Sequence, residues 1–421
     1  MDEQLNKFVL ATQKPPVMEV REWLKLNRKS EKPLLNLSQA APMSSPPDSL
    51  VKFLSKQALL TENHLYGEVL GDIPLREEIV KLWNEEYNSS ICIDNVAITS
   101  GCNQAFCAAI STIASAGDSI LVPVPWYFNH EMWLTIQGIN IVPLPCDANM
   151  FPDFEKAKEL IDKKTKAIVM VTPNNPTGVE YPTNLIKKFS ALAKGNKIKL
   201  IIDETYKNFG NKQSNIIYEG KWSDHLIQLY SFSKVYRLTG HRVGLMVASK
   251  SFIRQVEKFL DTTTICPNRL AQKAAYFGLL NLQDFITKEK LKIEKLKDSF
   301  EDALRDNSNW SLLGIGGYFA YLRYNSNLDS VSIAKKLLYK QSILTIPGDM
   351  FFPKEKSLNL KCKKIIKEVL NDYNMEAFFE RLVPLDNKVL SKVMKNSAPS
   401  IEQFFIKGKS SKLIGDTLNL K

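Results

Sequence analysis

From Val96 onward, short apolar runs alternate with longer stretches whose apolar residues recur at helical spacing. Asn95 to Thr99 reads as a strand and Gln104 to Ala116 as a helix; Ser119 to Val124 and Ile139 to Leu144 read as two further strands. Lys166 to Val171 is apolar at nearly every position, as a strand covered on both faces should be. Ile198 to Ile202 and Leu226 to Tyr230 repeat that type, and Val243 to Ala248 reads as an antiparallel return. Strands separated by helices predict an α/β fold, a mostly parallel seven-stranded sheet sandwiched by helices.

Before this block, Pro74 at a first helical position opens a helix through Leu82 and Trp83. After it, Ser251 to Leu280 reads as long helix broken at Cys266-Pro267. From Lys288 the pattern changes to a helix through Phe300, a strand at Tyr318 to Leu322 and a helix across Ile333 to Tyr339. A chain of 421 residues exceeds what one core usually serves, so two domains are expected. Residues 46–284 form the predicted large α/β domain, and residues 1–45 with 285–384 the smaller α+β domain. Residues 385–421, polar and basic with scattered apolar positions, read as a C-terminal extension.

The net charge of +11 raises nucleic acid or an acidic membrane as partners. No zinc spacing or basic–aromatic motif accompanies the charge, so no nucleic-acid partner and no metal site are expected. Lys335-Lys336 and the lysines between Lys361 and Lys367 read as solvated helix faces or loops. No apolar run approaches the ~20 residues that span a bilayer, and MDEQLNKF lacks the plan of a signal peptide. Six cysteines without a CxxC pair read as reduced, mostly buried thiols, and the expected location is cytoplasmic.

Candidate chemistry gathers at strand ends, where open α/β sheets place their ligands. Ser231-Phe232-Ser233-Lys234 follows a buried strand, with Arg242 eight residues on and Gly244 beyond. One reading is a Schiff-base lysine whose neighbours Ser231, Ser233 and Arg242 hold a phosphate; the plainer one is a loop lysine beside an arginine. Asp203 ends the strand Leu200 to Ile202, and Tyr206 follows. A carboxylate there either pairs with a protonated ring nitrogen, as pyridoxal phosphate requires, or caps a helix. Asn174-Asn175-Pro176-Thr177-Gly178 is a turn whose amide is also available to a ring hydroxyl oxygen. Thr99 to Gln104 joins a strand to a helix N-terminus, an anion site by its free N–H groups. Pro125-Trp126-Tyr127 offers an aromatic face at the next strand's end.

In their order and spacing these segments resemble a fold-type-I, class I/II aminotransferase over roughly Asn36 to Phe351. The resemblance rests on SxSK followed by Arg, NNPTG, D-x-x-Y and the segment Tyr66-Gly67…Gly71…Leu75-Arg76. It implies pyridoxal 5'-phosphate bound to Lys234, which also shuttles the proton at the substrate α-carbon. Asp203 takes the pyridinium nitrogen, Asn175 and Tyr206 take the ring oxygen, and Tyr127 stacks on the ring. The turn at Gly101 with the N–H groups of Cys102 and Asn103 holds the phosphate, joined by Ser231, Ser233 and Arg242. Tyr66 would reach the phosphate from a partner subunit, which implies a homodimer. His130 would stand behind the Asp203 pair as structural support. The strip Asn36 to Pro42 would contact the substrate carboxylate, with Ala40 where the family usually has glycine.

The resemblance fails in one place. The turn Pro347-Gly348-Asp349-Met350-Phe351 is present, yet the arginine that usually follows and holds the substrate α-carboxylate is not. Asn359 takes its place, with Lys361 and Lys363 as substitutes. Thr262 stands where dicarboxylate-specific members carry a partner-subunit arginine, although Arg269 is nearby, which argues against aspartate specificity. The expected reaction moves an amino group from an amino acid to a 2-oxo acid. The alternatives are a pyridoxal-phosphate-dependent carbon–sulfur lyase or other eliminase, and a binding protein whose catalysis is impaired.

Overall fold

A computed structural model of the chain describes residues 4–26, 32–210, 222–305, 309–324 and 328–354, with the backbone of 377–379. Two helices, α1 (Lys7–Ala11) and α2 (Pro16–Leu26), and the short strand β1 (Leu35–Asn36) come first, followed by α3 (Asp48–Gln57) and α4 (Ile73–Tyr87). Pro74 sits in the first turn of α4, and Asn88 closes the helix in the left-handed conformation with φ +48°.

The alternation then runs β2 (Val96–Thr99), α5 (Cys102–Ile113), β3 (Ser119–Pro123), α6 (Phe128–Ile136), β4 (Asn140–Leu144) and α7 (Phe154–Leu160). It continues with β5 (Thr165–Val171), α8 (Thr183–Gly195), β6 (Lys199–Asp203), β7 (Leu226–Ser231), the single-turn helix α9 (Phe232–Val235) and β8 (Gly244–Val247). These seven strands form one sheet in the order β2-β8-β7-β6-β5-β3-β4. β3 to β7 run parallel, and β8 returns antiparallel between β7 and β2. Ala167 to Met170 and Leu200 to Ile202 are buried on both faces, which is why these strands carry no alternation. The mostly parallel α/β sandwich is as expected. Helix α5 begins at Cys102 rather than Gln104, because Gly101 completes the turn and frees the next residue to be helical.

Helices α10 (Lys250–Thr264) and α11 (Arg269–Asn281) break at Ile265, whose φ of +65° ends the first, and Asn268 caps the second by accepting from Ala271 N. The chain goes on through α12 (Gln283–Leu304), β9 (Trp310–Gly316), β10 (Phe319–Tyr324), α13 (Ser330–Gln341), β11 (Ile343–Leu344), β12 (Ile346–Pro347) and β13 (Ala377–Phe379). A second sheet has the order β12-β13-β10-β9. β1 pairs in parallel with β11, so the N-terminal segment joins this C-terminal layer, and Val20 and Trp23 share a core with Phe319, Tyr321 and Leu338.

Two expectations need correction. Of the five described cysteines, all free, only Cys102 and Cys146 are buried; Cys92, Cys107 and Cys266 are half-buried. Lys335 and Lys336 are half-buried rather than solvated, and Lys335 Nζ lies 5.0 Å from the Trp23 ring centroid, its stem covering apolar surface. No helix among the described residues is long and apolar enough to cross a membrane.

Candidate active site

The C-terminal ends of β2, β5, β6 and β7 open on one cavity of about 380 Å³. Its lining includes Cys102, Asn103, Tyr127, Asn175, Asp203, Tyr206, Ser231, Ser233, Lys234 and Arg242. Ten of the residues singled out in the sequence are thus brought to one place.

The floor at the helix end is shaped by glycine. Gly101 has φ +83° and ψ 169°, a region essentially closed to other residues, and it precedes the first N–H groups of α5. A Cβ on Gly101 would lie 2.3 Å from Arg242 Nη2, so the guanidinium rests directly on the turn. A Cβ on Gly244 would meet Cys102 N and the Gly101 carbonyl carbon, each at 2.8 Å. The missing side chains let β8 and Arg242 close around α5's positive end. Arg242 Nη1 donates to Ser233 Oγ (3.4 Å) and Thr239 O (3.0 Å), and Ser231 Oγ accepts from Ser233 N (3.2 Å). Burial and the nearby Asp203 charge hold the Cys102 thiol protonated, so this residue offers its backbone N–H rather than a thiolate.

Lys234 sits in α9 directly after β7, and its Nζ donates to Ala40 O at 2.6 Å. Tyr206 OH donates to the same carbonyl at 3.4 Å. Ala40 itself is buried, and its neighbours Gln39 and Ala41 line the cavity. Opposite, Asp203 Oδ1 accepts from Thr205 N at 2.9 Å, and Oδ2 lies 3.5 Å from His130 Nε2. Burial pushes the Asp203 carboxyl up, yet the contacts with His130 and Thr205 outweigh it and leave the pKa below the ordinary carboxylate range. His130 is fixed in turn, stacked on Phe106 at 3.8 Å and edge-on to Tyr127 at 5.0 Å.

The two asparagines of the turn divide their work. Asn174 is consumed by the loop: its Oδ1 accepts from Thr177 N and Oγ1, and its Nδ2 donates to Tyr181 OH. Asn175 lines the cavity, buried, with an Oδ1 that has no hydrogen-bond partner. Tyr127 OH donates to Asn103 Oδ1 (3.3 Å) and accepts from Asn129 Nδ2 (2.7 Å).

Other sequence candidates lie elsewhere. Tyr66 is 78% exposed, its carbonyl accepting from Arg269 Nη1 at 3.4 Å, and it does not line the cavity. Thr262 is exposed on α10, and Arg269 is held by Asp72 (Nε to Oδ1 3.0 Å). Asn359, Lys361 and Lys363 lie outside the described residues. The cavity also takes in Gln39 and Ala41 from the strip Asn36 to Pro42, and Val171, Thr205 and Thr239, which the sequence does not single out. Thr205 adjoins Tyr206 and Val171 stands three residues before Asn174; nothing local marks Thr239.

This site fits pyridoxal phosphate on its own terms. It offers an amine, an ionised buried carboxylate, a buried side-chain amide whose NH2 can donate to a ring oxygen, and a glycine cradle beside an arginine that suits a phosphate. Fold and cavity together define a pyridoxal-phosphate enzyme of fold type I. The chain belongs to the class I and II aminotransferases: the family model described as "Aminotransferase class I and II" matches residues 32–360. A second model, glutamine amidotransferases class-II, matches residues 328–420, less than a quarter of the chain.

The chain is 27% identical over 347 residues to an aspartate aminotransferase of Thermotoga maritima, covering 79% of this chain and 88% of that protein. It is 26% identical to an aromatic aminotransferase of Arabidopsis thaliana, covering 82% and 88%. Among solved structures, the aspartate aminotransferase of Thermotoga maritima superposes with a TM-score of 0.77 at 24% identity, covering 87% of this chain and all of that one. An alanine aminotransferase from Pyrococcus furiosus gives 0.80 at 22% identity, covering 95% and 100%. These likenesses establish the fold. The enzyme is a pyridoxal-phosphate-dependent aminotransferase.

Proposed function

We propose that Lys234, Asp203 and Tyr206 carry the chemistry, and that Gly101, Cys102, Asn103, Tyr127, Asn175, Ser231, Ser233 and Arg242 hold the cofactor. The observation that carries this reading is that Lys234, in α9 just past β7, and Asp203, at the end of the neighbouring strand β6, face one cavity. The bound cofactor supplies an electron sink for the substrate α-carbon. Lys234 Nζ would hold the cofactor by its aldehyde carbon and, once displaced by the substrate amine, would take and return the proton at the substrate α-carbon. Asp203, kept ionised, holds the proton on the ring nitrogen, while Asn175 and Tyr206 orient the ring oxygen. The free N–H groups at the start of α5, with Ser231, Ser233 and Arg242, anchor the phosphate.

The substrates are an amino acid and a 2-oxo acid, and the backbone strip at Ala40 approaches the substrate carboxylate. The reading extends to a homodimer with Tyr66 reaching across to the partner's phosphate site. Its support is the exposed apolar surface of Leu59, Leu65, Tyr66 and Ile265 on one chain. Free thiols throughout the described chain support a cytoplasmic location. Residues 46–284 serve as the cofactor-binding domain and 1–45 with 285–384 as the smaller domain, a division supported by the β1–β11 pairing.

The test is borohydride reduction of cofactor-loaded protein followed by peptide mapping. The label belongs on Lys234 and is absent in Lys234→Ala; a label on any other lysine overturns the assignment. Adding an amino acid to the loaded enzyme should shift its visible absorbance, and a 2-oxo acid should restore it.

A further inference from the structure

The turn that carries Asp203 and Tyr206 has a second face, turned away from the cavity, and it buries charge. Glu204 is buried, and its Oε2 accepts from Tyr87 OH (2.8 Å) and from Gln228 Nε2. Gln228 Oε1 accepts in turn from Trp83 Nε1 at 2.7 Å. Lys207, with a side chain only 6% exposed, places its Nζ 2.7 Å from Glu86 Oε2 and 3.1 Å from Tyr87 OH. The same ammonium lies 3.8, 4.7 and 5.2 Å from the ring centroids of Trp83, Tyr87 and Tyr230, an aromatic cage for a cation. Tyr230 OH donates to Asn208 Oδ1 at 2.6 Å. Helix α4 and strand β7 therefore grip residues 204–208 from two sides.

Burying charges this way is costly unless they are paired, and a turn held only for stability is served by apolar packing. We infer that Glu204 and Lys207 are positioning residues for amino transfer, fixing the turn so that Asp203 and Tyr206 meet the cofactor ring in register. The inference rests on the assignment of Asp203 and Tyr206 above. The groups facing Glu204 are Tyr87 and Glu86 from α4, Lys207 from its own turn, and Gln228 and Tyr230 from β7. Burial pushes the Glu204 carboxyl up to about 7, with Lys207 pulling the other way, so its charge changes in the neutral range.

Glu204→Gln and Lys207→Met, made in the full chain, test this. E204Q keeps the shape and removes the charge. In the cofactor-loaded enzyme it should lower kcat roughly tenfold with KM unchanged. K207M should lower kcat likewise, and the double variant should lose little more than either single change. The apoprotein gives a readout free of the cofactor. Glu204 holds its proton more tightly folded than unfolded, so its contribution to stability is present at low pH and is lost as pH rises from 4.5 through about 7. The difference in melting temperature between parent and E204Q should follow that course. An E204Q enzyme with a kcat within twofold of the parent's, or a melting difference flat across that range, overturns the proposal. Failure of the parent to be labelled at Lys234 would instead sink the assignment on which it rests.

Discussion

Replacing Gly101 with alanine separates backbone strain from ligand contact in one experiment. The φ of +83° with ψ 169° lies where an L-residue is held at a cost of about 1–3 kcal/mol. That cost falls on the folded protein with or without cofactor, so it lowers the apoprotein's melting temperature and leaves no trace in the binding constant. The new Cβ would also stand 2.3 Å from Arg242 Nη2 and 3.0 Å from its Cζ, so the guanidinium must move. If Arg242 holds the cofactor phosphate, its displacement forfeits a charge-assisted contact worth about 1.5–3 kcal/mol, or roughly 10- to 150-fold in cofactor affinity. Equilibrium titration of apoprotein with pyridoxal phosphate, followed by absorbance, measures the second effect, and thermal unfolding of the apoprotein the first. Free pyridoxal in place of the phosphate ester should bind parent and variant alike. A variant with a lowered melting temperature and a cofactor affinity within threefold of the parent would refute the placement of the phosphate at this turn.

Other consequences are equally direct. Asp203→Asn removes the charge opposite the ring nitrogen and should cut kcat by at least about tenfold, the equivalent of one charge-assisted bond, in a steady-state assay. Because the Asp203 pKa is lowered, its stabilising contribution is present above the ordinary value of 3.8 and is lost as pH falls through the folded pKa; acid unfolding of the apoprotein should show that loss in the parent and not in D203N. Gly178→Ala, at φ +76° with a Cβ 2.4 Å from Gly316 N, meets backbone that cannot swing aside, and should destabilise the apoprotein by about 2–4 kcal/mol in denaturant titration. A mixture of Lys234→Ala and Tyr66→Ala chains, refolded together, should regain one fully equipped site per hybrid dimer if Tyr66 serves the partner; cofactor affinity that stays at the Y66A level would count against shared sites.

The large sheet was legible because its strands are buried on both faces and so announce themselves as unbroken apolar runs; β5 and β6 are the plainest cases. β1 and β11 were not, since two residues make no period and each is a strand only through pairing with a partner some 300 positions away. The helices α1 to α3 and strand β9 were likewise passed over; α1 buries no residue and α3 only Leu50, so neither needs a wide apolar face. The site divides along the same line. Asp203, Asn175, Lys234 and Arg242 stand in compact local motifs, and Gln39 and Ala41 lie in the strip the resemblance marks, whose return to Lys234 spans 194 residues; Thr239 carries no local mark and reaches the cavity only through the fold.

Charge misled more than apolarity did. Lys335-Lys336 reads as a solvated face, yet Lys335 lies along Trp23; Lys207, which nothing in the sequence marks, is caged by three rings. A lysine's sequence context does not record whether aromatic faces will be brought to it by distant elements, and in Lys207 they come from α4 and β7. The same remoteness explains why the two faces of one turn differ in legibility. Asp203 and Tyr206 form a spacing that can be seen in four residues, while Glu204 and Lys207, interleaved with them, acquire meaning only from Trp83, Tyr87 and Gln228. If the interleaved pair sets the geometry of the visible pair, a motif of this kind is complete only with the scaffold that grips its reverse side.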